Sequence, residues 1–142
     1  MSSSVAHVPE TYIEPMLLAA CVLAGLAALV HVYIFVLESL RWEDPATRKV
    51  FGTTVETAAV TQPLAYNQGF YNLFLAVVTA AGIALVGSQR DAAVALLLAG
   101  PGSMVAAATV LVTADRSKAR AAVVQALFPA LALIAVLLWA VS

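Results

Sequence analysis

The stretch PMLLAACVLAGLAALVHVYIFVL, residues 15–37, decides the fold of this chain. It contains no formal charge and one histidine. A helix of about 20 apolar residues is long enough to cross the hydrocarbon layer of a bilayer. Three further apolar runs follow at residues 57–89, 92–114 and 121–142. The sequence therefore predicts one domain, residues 1–142, with an all-α fold: an integral membrane four-helix bundle with helices at about 13–38, 60–87, 92–114 and 119–141.

The composition supports lipid as the surrounding medium. Of the 142 residues, 63% are hydrophobic and 11% are charged, whereas a soluble domain carries about 25% charged residues. The net charge of −1 excludes the basic surface that nucleic-acid-binding proteins use. The single cysteine, Cys21, excludes a disulfide framework, and no Cys/His spacing typical of zinc sites occurs, so we expect no metal centre.

The distribution of positive charge predicts the orientation of the bundle. Six of the seven basic residues lie in the first and third connections: Arg41, Arg48, Lys49, Arg116, Lys118 and Arg120. Short loops rich in Lys and Arg stay in the cytoplasm, so we expect both termini to face outward. Within the first connection, loop 39–58, Trp42 is typical of the headgroup level, and residues 46–51 are predicted to form a short surface helix.

Small residues recur at the spacing of helix contacts. Three alanine series with a four-residue spacing occur, one each in the first, second and fourth runs: Ala20, Ala24 and Ala28; Ala76, Ala80 and Ala84; Ala122, Ala126 and Ala130. Small residues at this spacing allow helix backbones to approach closely in lipid. An alanine-rich genome would produce the same series, so this alternative stays open.

Polar residues are concentrated near the predicted cytoplasmic ends of the helices. His31 and Glu38 are seven residues apart, which puts both on one side of the first helix, about 10 Å apart along its axis. In the second helix the polar residues cover an arc of about 140°, which we expect to face the bundle interior rather than lipid. The predicted ligand-binding set, at a similar depth in three helices, is His31, Glu38, Asn67, Gln68, Tyr71, Asn72 and Gln125.

The same residues can also be interpreted as groups that only join the helices, and this interpretation is almost as well supported as a ligand site. Asn and Gln often join membrane helices, each contributing about 0.6–2 kcal/mol. Glu38 would then be an interfacial carboxylate beside Arg41, and His31 a neutral side chain satisfied by an amide. The clustering of several polar groups favours a ligand or ion site modestly over this alternative.

Several segments together resemble the domain-of-unknown-function family 1304 of small bacterial membrane proteins. They are HVYIFVLE at residues 31–38, Trp42, VFG at 50–52 and NQGFYN at 67–72, with Gln125 and Pro129 as a further match. Ser39, where the family pattern suggests Met, and Pro63 depart from it without touching the polar set. The resemblance implies four helices and a multi-pass protein of the bacterial inner (plasma) membrane, but supplies no activity or cofactor.

Three functions fit these observations. The favoured one is binding or transport of a small polar molecule or ion, in a homo-oligomer because four helices are few for a complete pathway. The second is a membrane-embedded enzyme, loosely similar to the membrane-bound glutathione transferase family, or one that uses His31 and Glu38 as an acid–base pair. The third is a structural or accessory subunit of a larger complex. The sequence identifies no ligand and no partner beyond the lipid bilayer and a second copy of the chain.

Overall fold

The computed structural model describes residues 10–141, and five α-helices lie within this range. Four stretches in it are long and apolar enough to cross a membrane, which confirms the all-α, four-helix membrane architecture. Residues 1–9 and 142 of the predicted domain lie outside the described residues. The helices are α1, Glu10–Phe35, extended by a π-helical segment, Val36–Leu40; α2, Pro45–Phe51; α3, Val55–Leu85; α4, Arg90–Ala114; and α5, Ala119–Ala140, preceded by a 3-10 turn at Arg116–Lys118.

The four long helices form a ring. Helices α1 and α4 each pack against both α3 and α5, and the diagonal pair α1 and α4 makes few contacts. Consecutive long helices are neighbours, as short connections require. The first and third connections therefore meet at one end of the bundle, where Lys118 Nζ donates a hydrogen bond of 2.7 Å to the Phe51 carbonyl oxygen. We call this end, which carries α2 and Arg116–Lys118, the basic end.

The short helix predicted at residues 46–51 of the first connection is present as α2, and its position on the membrane surface stays a prediction. Pro45 occupies its first turn, where the missing N–H costs nothing. Gly52 ends the helix with φ of 66°, the left-handed conformation that glycine adopts without steric cost. Thr47 is the buried residue on this helix.

The alanine series on α1 and α5 lie at helix interfaces. Ala20, Ala24 and Ala28 are all buried. On α5, Ala122 is buried, and Ala126 and Ala130 are half-buried. Small side chains at helix interfaces let the backbones approach closely, which favours van der Waals packing between helices in lipid.

The series on α3 does not form one interface. Ala76 is buried, but Ala80 and Ala84 are exposed. The buried face of this helix instead continues from Ala76 through Thr79 and Gly82, which follow at three-residue steps. For Ala80 and Ala84 the four-residue spacing was therefore not a signal of packing.

Two glycines bring α3 and α4 close together. A Cβ on Gly100 would collide with Oγ1 of Thr79, and one on Gly82 would lie 2.9 Å from Cγ of Leu97. Thr79 is fully buried, and its hydroxyl donates to the Leu75 carbonyl oxygen at 2.8 Å, so it is satisfied within its own helix. The absence of side chains at the two glycines is what allows this helix pair to pack tightly.

Helix α3 is longer than the membrane requires. It begins at Val55, capped by the Thr54 hydroxyl, which accepts from the Thr57 backbone N–H at 3.1 Å, and it continues through Pro63. The predicted start at residue 60 was therefore too late. At 1.5 Å per residue its 31 residues extend about 46 Å, against about 30 Å of hydrocarbon. Counting about 20 residues back from Leu85 places the boundary near Tyr66.

Candidate functional site

The π-helical segment at the end of α1 shapes the candidate site. Val36–Leu40 continues α1 directly, without a break in the chain, and ends at Arg41. A π-helical turn holds one more residue than an α-helical turn, which rotates the following side chains relative to the rest of the helix. Such turns frequently lie at functional sites. Here the segment carries Glu38 and Ser39, and both contact α3.

A carboxylate and an amide meet at the seam between α1 and α3. Asn72 Nδ2 donates to Glu38 Oε2 at 2.9 Å and also to the Gln68 carbonyl oxygen at 3.2 Å. Glu38 is half-buried within a membrane-spanning stretch, Pro15–Leu40. The amide donates a hydrogen bond to the carboxylate but brings no opposite charge, so the Glu38 oxygens keep the capacity to bind a further donor or cation.

Arg41 does not supply the missing positive charge. It pairs instead with Asp44, at 3.4 Å between Nε and Oδ2, and both side chains are largely exposed. This is the one ion pair among residues 15–141, whose side chains the structure describes. Arg41 therefore forms its ion pair with Asp44 rather than with Glu38, and the interpretation of Glu38 as an interfacial carboxylate stays open.

The backbones of α1 and α3 approach closely at Gly69. Ser39 Oγ donates to the Tyr66 carbonyl oxygen at 2.8 Å. A Cβ on Gly69 would collide with Ser39 Oγ and lie 3.1 Å from Glu38 Cβ. The glycine of the NQGFYN string thus provides the space in which the π-helical segment sits against α3.

Trp42 holds the first connection against α3. Its Nε1 donates to the Ala58 carbonyl oxygen at 3.0 Å and to Thr61 Oγ1 at 3.2 Å. Its ring centroid lies 5.0 Å from that of Phe51 on α2. Trp42 was predicted to mark the headgroup level; its hydrogen bonds give it the additional role of linking the site to α2.

Aromatic side chains pack beside the polar contacts. The rings of Phe35 and Phe70 lie edge to face with centroids 5.1 Å apart, and Phe70 also contacts Tyr66 at 5.0 Å and Phe74 at 6.2 Å. Edge-to-face pairs of this kind contribute about 0.5–1.5 kcal/mol beyond their buried area. The Phe35–Phe70 pair holds one side of α3 against α1. Gly69 and Asn72 make the contacts on the other side.

Three predicted site residues do not face the bundle interior. Asn67 and Gln68 are exposed, and Tyr71 is 57% exposed, on the outward surface of α3. We expected the whole arc of polar residues on this helix to face inward. That expectation is wrong for these three residues, because Gly69 and Asn72 occupy the inward face. The helix periodicity correctly grouped the polar residues on one arc of α3. Whether that arc faces inward or outward depends on which part of it packs against α1.

Glu38, Asn72 and the three exposed residues still form one continuous surface. Asn72 touches both Glu38 and the Gln68 backbone, and Asn67 and Tyr71 follow one helical turn apart beside them. We call these five residues the polar patch: Glu38, Asn67, Gln68, Tyr71 and Asn72. The patch lies near the basic-end boundary of the hydrocarbon and extends about one turn into it.

His31 and Gln125 are separate from the polar patch. His31 is 1% exposed, and its Nδ1 donates to the Ala27 carbonyl oxygen at 2.9 Å, one turn earlier in α1. It lies two turns from Glu38, about 10 Å along the axis. Gln125 is half-buried on α5. No hydrogen bond among residues 15–141 joins either residue to Glu38, so a ligand-binding role for both stays a prediction, as does an acid–base pair.

The residues that the sequence did not single out as site residues are Ser39 and Gly69. Both are small, and their importance comes from the close approach of two backbones. The available signal was a glycine inside a polar and aromatic string, which often marks a close helix contact in membranes. Among the side chains that the structure describes, those of residues 15–141, no three His, Cys, Asp or Glu come together as metal ligands would.

A family model described as "Protein of unknown function (DUF1304)" matches residues 25–137, which covers most of the chain and all of the polar patch. No curated protein and no solved structure matches the chain.

Proposed function

This chain belongs to the DUF1304 family, and we propose that it is a membrane-embedded binding protein whose polar patch takes a small cation or a small molecule with hydrogen-bond donors. The family brings no activity with it, so the proposal depends on the side chains. The observation that carries it is the bond between Glu38 and Asn72, a half-buried carboxylate inside a membrane-spanning stretch paired with a neutral amide. Ionisable groups in such positions are costly and are functional candidates by default.

Each residue of the polar patch has a proposed role. Glu38 supplies the acceptor oxygens and the negative charge, and Asn72 fixes the orientation of its carboxylate. The amides of Asn67 and Gln68 and the hydroxyl of Tyr71 supply further donors and acceptors on the exposed side. A ligand bound there would be held by the carboxylate on one side and by neutral polar groups on the other.

We further propose that the protein acts as a homo-oligomer. The exposed amides of α3 lie near the basic-end boundary of the hydrocarbon, and the lipid chains just inside that boundary offer them no hydrogen-bond partners. A second copy would cover the patch and make a site between chains. Transport is the form of this function that most needs an oligomer, because four helices are few for a complete pathway.

Ligand-dependent stability tests the proposal. Purified protein in lipid nanodiscs would be melted with sodium, potassium, magnesium, ammonium or short alkylamine chlorides, with ionic strength held constant by tetramethylammonium chloride. Binding to the folded state adds about 2.7 kcal/mol of stability at a ligand concentration of about 100 Kd, so a clear rise in Tm is expected for one ligand class.

Two variants make this test specific. Glu38→Gln keeps an acceptor for Asn72 but removes the charge, and should abolish the ligand-dependent rise in Tm. Asp91→Asn, at an exposed acidic residue in the first turn of α4 at the opposite end, should retain it. No rise with any ligand, or an equal rise in Glu38→Gln, would contradict the proposal.

A further inference from the structure

The first connection is longer than the step that it makes. Helices α1 and α3 are neighbours in the ring, as are α3 and α4. Residues 86–89 suffice to join α3 to α4, whereas the chain uses residues 41–54 to join the π-helical end of α1 to α3. The extra residues fold into α2, Pro45–Phe51. Joining α1 to α3 therefore does not by itself require α2.

One hydrogen bond carries α2 towards the far side of the bundle. Phe51 is close in sequence to the start of α3, and Lys118 directly precedes α5. Helices α3 and α5 are diagonal in the ring, because α1 and α4 each pack between them. The Lys118 ammonium nevertheless donates to the Phe51 carbonyl oxygen at 2.7 Å. The shortest path between diagonal helix ends passes over the space that the four ends enclose, which we call the mouth, so α2 and the Lys118 side chain together span it.

Two contacts hold the C-terminal end of α2 in this position. The last carbonyl groups of a helix lack partners within the helix, and a cation is stabilising there, which is the place that Lys118 takes. The Phe51 ring packs on Trp42 with centroids 5.0 Å apart. Trp42 is itself bonded to α3 through the Ala58 carbonyl oxygen and Thr61 Oγ1. Helix α2 is thus fastened to α3 on one side and to the third connection on the other.

The residues that follow α2 have the features of a hinge. Gly52 has φ of 66°, and glycine passes between backbone conformations with less steric cost than any other residue. Thr53 Oγ1 is buried and makes no hydrogen bond. A buried hydroxyl without a partner lowers the stability of the arrangement that buries it. The closed position of α2 therefore carries a cost that the Lys118 and Trp42 contacts offset, which keeps a second, open position close in free energy.

The Glu38–Asn72 pair lies beneath the mouth. Asn72 occupies the inward face of α3, and Glu38 lies two residues before the π-helical segment ends at the basic end. Deeper in the bundle, Ile34 and His31 are buried on the same helix. The exposed members of the polar patch face outward, so the mouth provides the approach from water to the inner side of the carboxylate.

We propose that α2 is a lid over the aqueous entrance to Glu38, latched by the bond from Lys118 to the Phe51 carbonyl oxygen. Release of this bond and of the Trp42–Phe51 contact lets α2 turn about Gly52 and opens the mouth. The inference rests on the proposed function for the ligand that enters. The latch itself is a property of the chain that can be measured without a ligand.

Access of a thiol reagent to position 38 tests the lid. In a Cys21→Ser background, Glu38→Cys protein in nanodiscs would be treated with the cationic reagent trimethylammonioethyl methanethiosulfonate. Adding Lys118→Met, which keeps the apolar stem and removes the donor, should raise the modification rate about tenfold, the factor that one hydrogen bond contributes. Arg116→Met removes an equal charge at an exposed residue of the same turn and should leave the rate unchanged. Equal rates with and without Lys118→Met would overturn the lid.

Hydrogen exchange provides a second test that keeps Glu38 in place. The backbone amides of residues 46–51 should exchange about tenfold faster in Lys118→Met than in the parent or in Arg116→Met. Unchanged exchange there would overturn the latch even if the Glu38→Cys protein does not fold. Ligand-dependent stabilisation of the parent with equal modification rates would overturn the lid alone. Latch-dependent modification in a protein that none of the tested salts stabilises would overturn the ligand proposal alone.

Discussion

Asn72 Nδ2 lies 2.9 Å from Glu38 Oε2 and joins the π-helical end of α1 to the middle of α3. The two residues are 34 positions apart in the sequence, so the bond is a tertiary contact across the first connection. Two neighbouring contacts support it. Ser39 donates to the Tyr66 carbonyl oxygen, and Gly69, which has no side chain, lets the π-helical segment lie against α3.

Replacing Asn72 should destabilise the bundle more than replacing Glu38. Asn72→Leu removes the donor and leaves a half-buried carboxylate without its partner, which costs about 1–3 kcal/mol. Glu38→Gln leaves an amide oxygen in place to accept the same bond, so its effect should be smaller. Thermal unfolding in nanodiscs measures both, and Gln68→Leu serves as the control for loss of an exposed amide. Equal stability of Asn72→Leu and the parent would show that the contact contributes nothing.

A methyl group at Gly69 should separate α1 from α3. The Gly69→Ala side chain would collide with Ser39 Oγ, and overpacking of this kind typically costs about 1–3 kcal/mol. Gly69→Ala combined with Ser39→Ala removes the obstructing hydroxyl and should recover part of the loss. Gly87→Ala, where nothing lies within 4 Å of the added atom, is the matched control. The measurement is again thermal unfolding, and a Gly69→Ala variant as stable as Gly87→Ala would refute the close approach.

The sequence alone predicted the architecture well, because membrane spans depend on length and apolar composition, which are both local properties. The short helix α2 was also predictable, since Pro45 and Gly52 mark its two ends. The π-helical segment was not, because nothing in VLESL distinguishes it from an α-helical turn until α3 supplies the partners for Glu38 and Ser39.

The residues that form the candidate site could be predicted from the sequence better than their orientation in the bundle. Periodicity grouped Asn67, Gln68, Tyr71 and Asn72 on one arc of α3, and that grouping holds. Which edge of the arc touches α1 depends on the small volume of Gly69, a packing effect that a polar-residue count ignores. The inward orientation was expected because exposed amides in lipid are costly, and this cost is the reason to look for a second copy of the chain.

The end of the bundle opposite the basic end should depend on Arg90. Its Nη2 donates to the Trp139 carbonyl oxygen at 2.7 Å, and its guanidinium lies 4.9 Å from the centroid of the Trp139 ring. Arg90→Lys keeps the charge but loses the planar group that serves both contacts, so we expect a loss of about 0.5–2 kcal/mol. Hydrogen exchange of the last turn of α5 measures it, with Arg120→Lys, at an exposed residue of α5, as the control. Unchanged exchange in Arg90→Lys would show that the charge alone suffices.

The orientation of the bundle can be tested with two serines in a Cys21→Ser background. Ser88 lies in the turn between α3 and α4, and Ser117 lies in the 3-10 turn at the basic end; both are exposed. Because loops rich in Lys and Arg are retained in the cytoplasm, Ser88→Cys should react with a membrane-impermeant maleimide in spheroplasts. Ser117→Cys should react only after the membrane is permeabilised. The reverse labelling pattern would place the polar patch in the outer half of the membrane, and Glu38 would then meet ligands from outside the cell rather than from the cytoplasm.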